Sequence, residues 1–416
     1  MTKTKELDFV DKTILDNGLT IVSENVESVK SVSVGIWAKT GSRNETPKQA
    51  GITHFLEHML FKGTESRSSY DIALSMESVG GYLNAFTSSE YTCYYSRCLS
   101  TQLHNALDIL SDMVQHPSFP KDEIAKEKKV VIEEMKMYRD KPADFLLQNF
   151  SEKVFEGHPL GRPVIGNEET VSAFDRSDLY AYMDDRYQPD NLIISIAGNV
   201  KHEQAVELVE TYFVNATTDS TITDEVALNG YEATNQSLRK AIEQTHLVLG
   251  KRGIRYDHPD KYRLLLTNAI LGGGMSSRLH QNVREKYGYC YTISSFNQTY
   301  RDTGLYGIYV GTDEEYVDHV EELIFKELRE LGNEPVPQKE LDEAKAQLKG
   351  KLLLSLENMS NRMRRLAKGE IYYNRFVTLD ELVSNIDAVE AEGIQEFATS
   401  FFEKEQFSKA VLLPEE

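Results

Sequence analysis

His54-Phe55-Leu56-Glu57-His58 is the segment of this chain whose residue types and spacing together specify a chemistry. Two histidines four apart on a helix project from one face. That spacing lets two neutral imidazole nitrogens reach one zinc ion. Glu57, three residues after His54, falls on the same side, where a carboxylate can hold and deprotonate a metal-bound water. The order His-x-x-Glu-His inverts the more common His-Glu-x-x-His of zinc peptidases. Ile52, Phe55, Leu56 and Met59 make one apolar stripe, with the histidines and Glu57 beside it. The competing reading is a helix that carries two satisfied surface histidines.

A catalytic zinc needs a third protein ligand and one open position. The helix expected over residues 122–139 places Glu127, Val131, Glu134 and Tyr138 along one face. Two carboxylates on a partly apolar face are costly unless a cation pairs with them. The same helix is rich in glutamate, so composition alone could also put two there.

Several elements must position these groups. Thr13–Val22 reads as a hairpin turning at Asn17-Gly18, and Ser33–Ala38 as a buried strand. A helix is expected from Pro47, with Thr46 as its cap, to a stop at Gly63, and a second over Tyr70–Val79. Tyr82–Thr87 and Tyr91–Ser96 read as an antiparallel pair, Thr101–Tyr138 as helices, Leu192–Gly198 as a central strand and Glu203–Phe213 as a helix. The polar stretch 216–232 reads as a linker, between an N-terminal zinc-binding domain over 1–215 and a C-terminal homologous domain over 233–416. In the second half, strand His246–Lys251, helices Lys261–Leu271 and Ser277–Lys286, and strands starting at Tyr289 and Gly304 follow in the same order. This is a weak internal duplication, and strands joined to runs of helices give an α+β class.

The bulk numbers narrow the field. At 416 residues the chain is long enough for several domains, and its net charge of −20 argues against nucleic acid as a partner. The same charge suits cationic ligands such as basic peptides. No apolar run approaches the roughly 18 residues of a membrane span, and the first residues lack the apolar core of a signal peptide. The three cysteines form no Cys-x-x-Cys pair and no even framework, which fits a reducing, cytoplasmic setting.

Gly51–Thr64, Gly80–Thr87 and Glu127–Glu134 together resemble the active-site segments of the pitrilysin and mitochondrial processing peptidase family, and the likeness runs from about Leu19 beyond Tyr309. The resemblance implies two similar αβ-roll domains, with mixed, mainly antiparallel sheets flanked by helices, forming half of a clamshell chamber. It implies one zinc per chain held by His54, His58 and Glu134, which lies 76 positions after the second histidine. Glu57 is then the general base, and Glu127 the acidic helper seven residues before Glu134. Asn84, Ala85 and Phe86 match the strand to which extended substrate adds, and Arg284 and Tyr291 match an Arg–Tyr pair used near the scissile carbonyl. Leu271–Leu279 resembles the glycine-rich loop of the processing peptidases. Of two acidic positions that recognise a basic residue in the mitochondrial enzyme, this chain has Asp144 and Gln148, so only one is acidic. A chain with both motif and loop is similar to the bacterial homodimeric branch. That implies a cytoplasmic zinc endopeptidase for extended peptides. A non-catalytic relative serving as an assembly scaffold is the alternative.

Overall fold

The computed structural model describes residues 10–213 and 226–415. Among these, eleven strands form two sheets: β1 Val10–Ile14, β2 Thr20–Asn25, β3 Ser31–Ala38, β4 Tyr82–Thr87, β5 Thr92–Leu99, β6 Leu192–Gly198, β7 Asn235–Lys240, β8 Thr245–Gly253, β9 Cys290–Thr299, β10 Gly304–Thr312 and β11 Ser408–Pro414. The expected hairpin at Asn17-Gly18 is present as β1 and β2, and Gly18 takes φ 89° in the turn. The first sheet runs β1-β2-β6-β3-β5-β4, with β2 and β6 parallel and the other neighbours antiparallel. β6, Leu-Ile-Ile-Ser-Ile-Ala-Gly, is buried along its whole length, as an unbroken apolar run covered on both faces should be.

The second sheet runs β7-β11-β8-β10-β9, with β7 and β11 parallel and the rest antiparallel. This repeats the order and the strand directions of β2-β6-β3-β5-β4. The duplication, faint in residue identity, is therefore complete in topology over five strands. The architecture is two helix-flanked mixed sheets of similar build.

The two compact units are not the contiguous halves 1–215 and 233–416. One comprises Met1–Lys136, Arg162–Val226 and Ser355–Phe376; the other comprises Met137–Gly161, Ala227–Leu354 and Val377–Glu416. Helix Met359–Tyr373 packs on β2, β3 and β6 of the first unit. There Met363, Leu366 and Ala367 join Val22, Trp37, Cys93 and Ile193 in a core. Gly35 permits the close approach, since a Cβ there would lie 2.7 Å from Met363 Sδ. Helix Pro142–Val154 packs on β8 and β11 of the second unit, where Leu146, Phe150 and Val154 meet Val248, Leu305 and Leu412. Each unit thus includes a helix contributed by the opposite half of the chain, and that helix covers a face of the unit's own sheet. An apolar stripe marks a helix as needing cover but does not say which sheet supplies it.

Of the expected linker, 216–225 lies outside the described residues. Residues 227–232 belong to the second unit, where Leu228 and Tyr231 pack against its core and Tyr231 donates to the carbonyl of Gln406 at 2.9 Å. The three cysteines are buried and unpaired. No helix among the described residues is long and apolar enough to cross a membrane.

Candidate metal centre

The helix expected from Pro47 to Gly63 is broken in two. A short 3-10 turn spans Pro47–Gln49, and the α-helix runs from Ile52 to Leu60. The break is at Gly51, in the left-handed region with φ 90°, where a side chain would strike the carbonyl of Ile165 at 2.6 Å. The buried carboxylate of Glu45 closes the new helix start. Its two oxygens accept from the amides of Gly51 at 2.8 Å and Thr53 at 2.9 Å, satisfying N–H groups that the first turn leaves free. Burial pushes the Glu45 carboxyl up to about 7, against the lowering effect of those hydrogen bonds and Arg162. Ile52, Phe55, Leu56, Met59 and Leu60 are buried on the core side, and His54, Glu57 and His58 are half-buried on the other.

The carboxylate helix runs Lys121–Asp140. Its buried stripe is Ile124, Glu127, Val131 and Met135; Glu134 is half-buried at the stripe's edge, and Tyr138 points outward, 43% exposed. The face expected through Tyr138 therefore turns by one residue in its last turns, because Met135 fills the core position.

Three atoms from two helices converge. His54 Nε2 lies 3.8 Å and His58 Nε2 3.5 Å from Glu134 Oε2, and the three residues offer ligand atoms all within 4.8 Å of one another. Ligands on a tetrahedral zinc with bonds of about 2.0–2.2 Å stand roughly 3.3–3.6 Å apart. The donor set, two imidazoles and one carboxylate, fits that ion with small inward adjustments. It is the only such cluster found among the described residues.

The surroundings push the two imidazoles in opposite directions. Burial, then the neighbouring charge of His58, pulls His54 down to about 3, so its imidazole stays neutral. Glu127 Oε1 accepts from His58 Nδ1 at 2.8 Å, and Lys62 Nζ holds the other Glu127 oxygen at 2.6 Å. The bond fixes the His58 tautomer and leaves Nε2 as the free acceptor facing Glu134. For His58, burial works downward, but Glu127 and then Glu134 and Glu57 raise it overall. Glu127 is depressed, because the His58 and Lys62 bonds outweigh its burial.

Glu57 stands beside the cluster and is not one of the three converging residues. Burial raises its carboxyl above the ordinary range, opposed first by a hydrogen bond from Thr87. Thr87 Oγ1 donates to Glu57 Oε2 at 2.6 Å. This partner was not among the residues singled out from sequence. Its signal was available in the period of β4: Leu83, Ala85 and Thr87 share the face that meets helix Ile52–Leu60.

β4 is an edge strand, paired on one side with β5 alone. Phe86 on its opposite face packs 5.5 Å from Trp37, with the Arg364 guanidinium 4.8 Å from its ring. Asn84 donates to the Tyr82 hydroxyl at 2.5 Å, and Ala85 is half-buried. Asp144, Arg284 and Tyr291 belong to the second unit. Asp144 sits in the first turn of helix Pro142–Val154, 3.9 Å from Lys141 Nζ. Arg284 lies on a π-helical turn, His280–Glu285, and its guanidinium stands 5.7 Å from the ring of Tyr291 on β9, which is 74% exposed.

Comparison with known proteins places these features in a lineage. The profile described as insulinase (peptidase family M16) matches residues 20–168, and that of the peptidase M16 inactive domain matches 173–348. A Bacillus subtilis (strain 168) chain named as the uncharacterized zinc protease YmxG is 41% identical over 96% of this chain and 97% of its own length. A zinc protease of Rickettsia bellii (strain RML369-C), likewise named uncharacterized, is 36% identical over 95% of this chain and 96% of its own. A protease from Helicobacter pylori has the same fold at TM-score 0.90 and 24% identity, over 97% of this chain and 99% of that one.

Proposed function

From the premise that this chain belongs to the M16 family of peptidases, whose relatives are named zinc proteases, we propose that it is a zinc endopeptidase acting on extended peptides. The observation that carries the reading is Glu57, a half-buried carboxylate held by Thr87 beside a three-residue ligand set. A metal store or scaffold has no use for a base in that place.

His54, His58 and Glu134 would hold one zinc per chain. When bound, zinc supplies Lewis-acid polarisation of the peptide carbonyl and eases deprotonation of water. Glu57 takes the proton of the attacking water and passes it to the leaving amine. Glu127 keeps His58 in the ligating tautomer. Substrate adds to the free edge of β4 as an antiparallel strand, so that backbone hydrogen bonds hold any extended peptide along Asn84, Ala85 and Phe86. In this reading Arg284 and Tyr291 of one copy complete the zinc site of a second copy, where Tyr291, oriented by Arg284, donates to the oxygen that gains negative charge. Asp144 favours a basic residue near the cut. Two copies, in the bacterial cytoplasm, enclose the chamber, which limits substrates to unfolded chains.

Cleavage of a quenched basic peptide by wild type, Glu57→Gln and Glu134→Gln, with bound zinc quantified in each, tests the assignment. Wild type should cut; Glu57→Gln should keep zinc and lose at least about a hundredfold in kcat; Glu134→Gln should lose zinc. A wild type that binds zinc and cuts nothing in a diverse peptide library would make it a peptide-binding scaffold instead.

A further inference from the structure

His280 is the one histidine of the second unit whose ring meets a guanidinium that the proposed reaction uses. Its Nε2 lies 2.7 Å from Arg284 Nη1, one turn along the same helical segment. A guanidinium only donates, so Nε2 must accept and the proton of the neutral ring must sit on Nδ1. Nδ1 is buried with no hydrogen-bond partner, and the Glu285 carboxylate stands 3.7 Å from it. A buried, unsatisfied imidazole N–H is a cost that folding alone gives no reason to keep.

The local backbone explains the contact. Residues His280–Glu285 form a π-helical turn, a rare insertion that re-aims side chains and is concentrated at functional sites. The turn brings Arg284 Nη1 between two acceptors, His280 Nε2 and Glu285 Oε1 at 3.1 Å. So fixed, the guanidinium lies 5.7 Å from the ring of Tyr291. Tyr291 is 74% exposed and otherwise has little packing to hold it.

We propose that His280 is a positioning residue for Arg284: its neutral ring, set in the Nδ1–H tautomer, locks the guanidinium against Tyr291 and thereby fixes the hydroxyl that serves the scissile carbonyl. This rests on the role given above to Arg284 and Tyr291. His280 lies outside the unit that carries His54, His58 and Glu134.

The test is a cycle of His280→Phe, Arg284→Ala and the double variant, with His280→Gln as the variant that keeps an acceptor, all with zinc content measured and kinetics read on one cleaved peptide. His280→Phe should lower kcat by about ten- to a hundredfold with KM changed less than about threefold. His280→Gln should recover most of that loss, zinc content should stay at wild-type level, and His280→Phe should add nothing in the Arg284→Ala background. Unchanged kcat in His280→Phe beside a loss in Arg284→Ala overturns the positioning role alone. Unchanged kcat in Arg284→Ala removes the role of the pair, and the inference with it. If His280→Phe does not fold, ¹⁵N shifts of the histidine rings in the wild type decide: an Nδ1–H tautomer at His280 supports the inference, and Nε2–H overturns it.

Discussion

Glu127 carries no metal in the proposed assignment, yet it controls one ligand. It joins His58 Nδ1 at 2.8 Å and Lys62 Nζ at 2.6 Å, so its charge is neutralised locally while it fixes a ring. Glu127→Ala should therefore keep the fold and weaken zinc binding by about ten- to a hundredfold, read by competition with a chromogenic chelator. An affinity equal to wild type would show that the ring is held by helix geometry alone. At this scale much was legible in the chain. His54, Glu57 and His58 announce themselves because their spacing on one helix is itself the geometry. Thr87 did not, because its contact with Glu57 crosses from a strand to a helix 30 positions away in sequence.

The helix Ile52–Leu60 shows what an element adds. Its start is set by Gly51 and by the Glu45 carboxylate, and burial raises that carboxyl to about 7 from the 4.5 of an exposed group. The folded state then holds the proton more tightly than the unfolded chain does. This contribution to stability is fully present below about pH 4.5 and is lost as pH rises through about 7, a total of about 3 kcal/mol. Wild type should lose thermal stability relative to Glu45→Gln as pH rises from about 5 to about 8, followed by melting in both proteins. A difference in Tm that stays flat with pH would mean that Glu45 is ionised throughout. The sequence pattern indicated a helix here but not its break, since a glycine immediately before the apolar stripe reads equally as an interior residue. Likewise the π turn at His280–Glu285 is invisible in periodicity, which supports an ordinary helix over the same residues.

For the whole molecule, the exchange of helices has a direct consequence. A fragment of residues 1–215 lacks helix Met359–Tyr373 and leaves Val22, Trp37, Cys93 and Ile193 bare on one sheet face. Removing a buried Met or Leu side chain costs about 2–5 kcal/mol, and this fragment loses both Met363 and Leu366. It should aggregate or melt without cooperativity, and a synthetic peptide covering 355–376 should restore a sharp transition in circular dichroism. Cooperative melting of the fragment alone, at the temperature of the full chain, would show that the helix is dispensable cover.

The sequence by itself determined the α+β class, the approximate extent of the elements and the spacing that makes His54 and His58 candidate ligands and Glu57 a candidate base. These depend on short-range spacing: residues four apart on a helix, alternation along a strand, a glycine in a turn. The tertiary structure decided which sheet each amphipathic helix covers, that β4 lies at an edge, that Thr87 faces Glu57, and that the two sheets share one topology over five strands. Each of those is a choice among apolar faces that look alike along the chain. Packing decides among them through complementary shape, as where Gly35 admits Met363, and that shape exists only once the strands are paired.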